Sequence, residues 1–142
     1  MWPSRTRRAR RGPGALAAGI VAVGVVTAGV LPAGATSPLP PDALREAQAG
    51  LDHLYHGRTG QARAAFERVR ALQPASPAAD FLLGGIEWHR LTTGPQGFTG
   101  GGATERDFFA RMDAAIAVGE AAIERDGDDL AARFFVGGAY GY

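Results

Sequence analysis

Residues 59–74 read TGQARAAFERVRALQP, and the spacing inside this stretch decides how the rest of the chain is read. Ala62, Ala65, Phe66 and Val69 recur three and four apart, the interval that places side chains on one face of an α-helix. Arg63, Glu67, Arg68 and Arg70 fall on the other face. Pro74 closes the segment, because proline lacks the amide hydrogen that would continue the helical ladder. Before the segment, Gly57 and Gly60 bracket a turn, and residues 42–56 show the same periodicity. The unit is therefore a pair of helices joined by a short turn.

The pair recurs. Gly50 and Gly84 are 34 residues apart, each inside an amphipathic segment, and Leu83-Gly84 in the second is matched by Val136-Gly137-x-x-Tyr140 further on. Gly84 and Gly137 are 53 apart, an excess of 19 over the first interval. The same displacement of 53 relates Ala62 to Ala115 and Pro74 to Gly127, so one insertion of 19 residues between Gly84 and Ala115 restores all three registers. Helices are predicted over 42–56, 59–72, 77–91, 104–125 and 128–141, separated by turns at Gly57/Gly60, at Pro74/Pro77 and at Asp126-Gly127-Asp128-Asp129. The small residues at the repeating positions let two helix backbones approach closely while Phe66 and its equivalents fill the space beside them.

The Leu-Gly-x2-Tyr element, the Ala62-x3-Phe66 element and the closing proline resemble the tetratricopeptide repeat in order and spacing. Residues 42–142 are similar to that superfamily, and FFVGGAYGY at 134–142 is similar to a segment of exported bacterial repeat proteins. Glu46, Asp80 and Arg133 stand where the pattern prefers tryptophan, His53 and Glu87 where it prefers tyrosine, and Gly119 where it prefers phenylalanine. The resemblance implies an all-α solenoid of about two and a half stacked helix pairs. It also implies a concave face, lined by the first helix of each pair, that holds a protein or peptide partner. Projected onto that face, Leu51, Leu54 and Tyr55 recur as Gly85, Trp88 and His89, and again as Gly138, Gly141 and Tyr142. Leu51, Leu54, Tyr55, Trp88, His89 and Tyr142 are the expected groove residues.

Ahead of the repeats, residues 1–11 carry five arginines, residues 15–31 (ALAAGIVAVGVVTAGVL) form an uncharged apolar run of 17, and Ala33-Gly34-Ala35 supplies a small-x-small triplet. This is the plan of a secretory signal peptide over residues 1–35, with cleavage expected before Thr36 and export to the periplasm or cell exterior. An uncleaved membrane anchor is the alternative, since 17 residues lie at the lower limit for spanning a bilayer. Residues 36–41 (TSPLPP) read as a proline-rich spacer. Residues 92–102 (TTGPQGFTGGG) read as a glycine-rich loop, with the insertion occupying about 92–103 and lengthening the helix that follows. The apolar helix over 128–141 has no second helix to cover it within this sequence, from which the chain is expected to be the front part of a longer repeat protein.

All fifteen basic residues are arginine, yet from Thr36 onward ten arginines face fourteen acidic residues, a net charge of about −4. That balance, with no basic stripe, argues against nucleic acid as a partner. The chain has no cysteine, which removes disulfides, thiol catalysis and thiolate–zinc sites. Asp52, His53 and His56 share a helix end but lack a third ligand at fixed spacing. Gly100-Gly101-Gly102 has no following lysine, and Glu105 and Asp107 would repel a phosphate. None of Ser4, Ser37 and Ser76 sits in a nucleophile motif. No catalytic residue, cofactor or metal is expected, and contact with a membrane is expected only if the leader stays uncleaved. The expected role is an exported scaffold or adaptor that binds a protein or peptide. A membrane-anchored assembly factor, or the targeting module of an enzyme whose catalytic domain lies beyond residue 142, are the alternatives.

Overall fold

In the computed structural model, residues 37–95, 97 and 102–142 are described, and all regular structure among them is helical. Five helices follow in order: α1 Pro41–Tyr55, α2 Thr59–Leu72, α3 Ala78–Thr93, α4 Ala103–Arg125 and α5 Leu130–Tyr140. The proposed leader lies outside the described residues, as do Phe98 and four other residues of the glycine-rich loop. Among the described residues no helix is long and apolar enough to cross a membrane.

The helix limits follow the local chemistry. Pro41 opens α1 at the first helical position, where its missing amide costs nothing and its fixed φ suits the helix. Gly57 takes a φ of +72°, the left-handed conformation that ends a helix without a Cβ penalty. The two prolines expected to separate α2 from α3 do so, with Ser76 Oγ accepting a hydrogen bond from the Ala78 amide at 3.3 Å. The carboxylate of Asp129 caps α5 by accepting from the Ala132 amide at 2.8 Å, so this helix starts at Leu130, two residues later than expected. At the other extreme, α3 runs two residues past the expected Leu91. Thr92 and Thr93 bond back through their hydroxyls to the carbonyl of His89, at 3.2 and 2.6 Å, which holds them in the last turn.

Successive helices pack on one another, and α3 additionally touches both α1 and α5. Among the described residues α2 and α4 do not pack directly on one another. Two of the repeating glycines explain the close approach within each pair. A methyl group built at Gly50 would overlap the Phe66 ring of α2, and one built at Gly84 would overlap the Met112 side chain of α4. Phe66 is wholly buried, with Leu54, Ala62, Leu83 and Ile86 around it, and contributes about 2–3 kcal/mol by burial. A second cluster joins Ala43 and Ala47 of α1 to Val69, Ala78, Ala79 and Phe135, so every element except α4 meets there.

Leu39 corrects the reading of residues 36–41 as a mere spacer. It is only 7% exposed and packs into that second cluster, anchoring the chain before α1 begins. The backbone bends at Pro38 and Leu39, where the Leu39 amide donates to Ser37 Oγ at 3.2 Å, and the leucine side chain turns inward.

Candidate functional site

The expected groove residues come from α1, α3 and the end of α5, but the structure treats them unequally. Leu54 is core: it is 5% exposed and packed under α2 with Phe66, so it presents no surface to a partner. Leu51 is half-buried against the same cluster. His89 is also half-buried. Tyr55, by contrast, is 61% exposed at the last turn of α1.

Trp88 and Tyr142 come together, with ring centroids 4.8 Å apart and planes inclined at 58°. Phe108 of α4 closes a triangle with them, 5.5 Å from Trp88 and 5.2 Å from Tyr142, and Phe81 stands 6.4 Å from Tyr142. Tilted and edge-on arrangements of this kind match the positive rim of one ring to the negative face of the next. The Tyr142 hydroxyl titrates above the ordinary tyrosine value, chiefly because burial disfavours the phenolate and secondly because Tyr55 lies near it. Trp88 and Tyr142, drawn from separate stretches of chain, thus share one aromatic contact with Phe108, while the exposed Tyr55 lies near Tyr142 without a ring contact to it among the described residues. Phe108 and Phe81 were not singled out by sequence; their signal was only that they are large apolar residues near helix starts.

The adjoining side of α3 is charged. Glu87 is 5% exposed, and its two oxygens accept from Arg63 of α2 at 2.8 Å and from Arg90 at 2.9 Å. Two turns earlier Asp80 accepts from Arg70 of α2 at 3.0 Å and from Arg111 of α4 at 2.9 Å. Two carboxylates on α3 therefore link to both flanking helices, and Asp80 alone bridges α2 to α4. Each lies where the repeat pattern prefers an aromatic ring, so paired charge occupies the space that a tryptophan or tyrosine would fill. Arg63, Glu87, Arg90, Asp107, Ala110 and Arg111 line a cleft of about 430 Å³ there.

At the end of α1, the acid and imidazoles considered for a metal are engaged otherwise. Arg58 donates to Asp52 at 2.8 Å and to His53 Nδ1 at 3.1 Å, while His56 Nδ1 lies 2.7 Å from the Asp52 carbonyl. Among the described residues no group of three His, Asp or Glu is placed to hold a metal ion.

What the site offers is partly exposed aromatic area edged by tyrosine hydroxyls. Comparison with known proteins adds no relative: no protein-family model, curated protein or solved structure matches this chain.

Proposed function

We propose that this chain is an exported, tetratricopeptide-like scaffold whose odd-numbered helices form a partner-binding face for an extended peptide or a protein surface. One observation carries the reading: α3 touches both α1 and α5, while among the described residues α2 and α4 do not pack directly on one another. Side-by-side first helices and separated second helices are what a stack of helix pairs curving toward its first helices requires. Tyr55, Trp88 and Tyr142 come from those three helices or their ends, which supports a continuous binding surface. Binding energy at such surfaces concentrates in a few aromatic groups. Export is supported by the leader-like residues 1–35.

The test is selection of a displayed peptide library on the 142-residue chain, followed by affinity measurement for the enriched sequence. Tyr55→Ala, at an exposed position, is expected to weaken binding about tenfold or more while leaving the melting temperature unchanged. Enriched peptides that bind Tyr55→Ala and His89→Ala as tightly as the parent would refute the assignment of the face. Amino-terminal sequencing of the secreted protein is expected to begin at Thr36; a start at Met1 would favour the anchored form.

A further inference from the structure

The three register glycines do not meet equal surroundings. Gly50 and Gly84 are buried under a large side chain of the following helix, Phe66 and Met112 respectively, whereas a methyl group built at Gly137 meets no described atom within 4 Å. The exposed stripe around Gly137 carries Phe134, 59% exposed, and Leu130 one turn before it. Four residues ahead of each glycine stands a charged side chain, and in the first two pairs it is acidic and bonded across to the covering helix. Glu46 accepts from Arg68 of α2 at 2.7 Å, and Asp80 from Arg111 of α4 at 2.9 Å. In the third unit that position is Arg133. Its Nε donates to the Gly127 carbonyl at 2.7 Å, and it forms no ion pair with a described residue.

We infer that the outer face of α5 docks an amphipathic helix, running antiparallel to it, that presents a phenylalanine or methionine to Gly137 and an acidic side chain to Arg133. The apolar part copies the two seats already filled within the chain. The acidic part follows from charge complementarity: with the sign on the first helix reversed, the sign on its partner must reverse too. An arginine at the position of Arg68 would face Arg133 and be repelled. Because the stripe lies on α5 away from α4, this docking is independent of the binding face proposed for Tyr55, Trp88 and Tyr142.

The probe is a fluorescein-labelled peptide with the sequence of residues 59–72, held helical by a side-chain lactam on the face away from Phe66 because so short a helix is marginal alone. It is made with Arg68 and as Arg68→Glu, and titrated against the 142-residue chain by fluorescence anisotropy. The Arg68→Glu peptide is expected to bind about threefold tighter than the Arg68 form, and Arg133→Glu in the chain is expected to reverse that order. Gly137→Leu, which fills the seat at an exposed helical position, is expected to weaken both by about tenfold. Equal affinity for the two peptides, binding unchanged by Gly137→Leu, or no binding of either peptide at about 1 mM overturns the inference. Sedimentation of the chain alone supplies a further check. A dimer that Gly137→Leu turns into monomer would identify a second copy as the occupant and also overturn it.

Discussion

Replacing each register glycine by alanine perturbs α1, α3 and α5 at one equivalent point, and the structure sets a different outcome for each. Alanine favours a helix interior over glycine by about 1 kcal/mol wherever nothing obstructs the new methyl. At Gly50 the methyl would lie 2.5 Å from Cδ1 and 3.0 Å from Cζ of Phe66, against about 3.5–4.0 Å for carbon atoms at rest. The ring is fully buried among Leu54, Ala62, Leu83 and Ile86, so a shift of about 1 Å must be passed to neighbours that are themselves packed. Overpacking of that kind costs about 3 kcal/mol, at the upper end of its usual range, and after the helical gain Gly50→Ala is expected to destabilise by about 2 kcal/mol. At Gly84 the obstruction is the tip of Met112, which has other rotamers, and Arg111 Cβ at 3.2 Å. There the two effects nearly cancel, within about 1 kcal/mol of zero. Gly137→Ala meets no described atom within 4 Å and is expected to stabilise by about 0.5–1 kcal/mol. Urea denaturation followed by helical circular dichroism measures all three. Gly50→Ala at or above the parent's stability would refute the packing argument, as would a Gly137→Ala chain less stable than the parent.

Two further outcomes follow from the polar groups. Glu87→Gln leaves Arg63 and Arg90 opposite a neutral amide. Both guanidiniums keep about half their solvent exposure, so the loss is expected to be about 1 kcal/mol, and a denaturation midpoint that is unchanged or higher would show the paired charge to be dispensable. The hydroxyls of Tyr140 and Tyr142 both titrate above the ordinary tyrosine value, Tyr140 mainly through its 2.6 Å hydrogen bond to Glu120 and Tyr142 mainly through burial. A raised folded-state value means the folded chain holds these protons more tightly than the unfolded chain. The associated stability is therefore complete below pH 10 and declines as pH climbs through the folded-state values. Spectrophotometric titration of tyrosinate should show the late-ionising signal reduced in Tyr140→Phe and in Tyr142→Phe, and a parent chain whose three tyrosines all ionise at the unfolded value would contradict this.

The helices were legible because their punctuation is local. Gly57, Pro74, Pro77 and Asp129 act within a turn of where they stand, and the 3.6-residue period of Ala62, Ala65, Phe66 and Val69 needs no knowledge of what lies opposite. Leu39 was illegible for the complementary reason: one leucine between prolines has no period, and its burial depends on Val69 and Phe135, far along the chain. The groove residues mix both cases. Leu51, Leu54 and Tyr55 occupy little more than one turn, so spacing puts them near one another without saying which slips under α2, and Leu54 is the one that does. Glu87 looked like a departure from a tyrosine-preferring position. Its role needs Arg63, 24 residues earlier, and no local rule pairs two such residues in advance.

Among the described residues the helices pack mainly on their neighbours or the next but one, with Phe135 of α5 reaching back to the cluster at α1. Contacts this close in sequence let the chain close short loops first, and ordering α1 against α2 does not wait for α5 to exist. Contacts of that range favour fast folding.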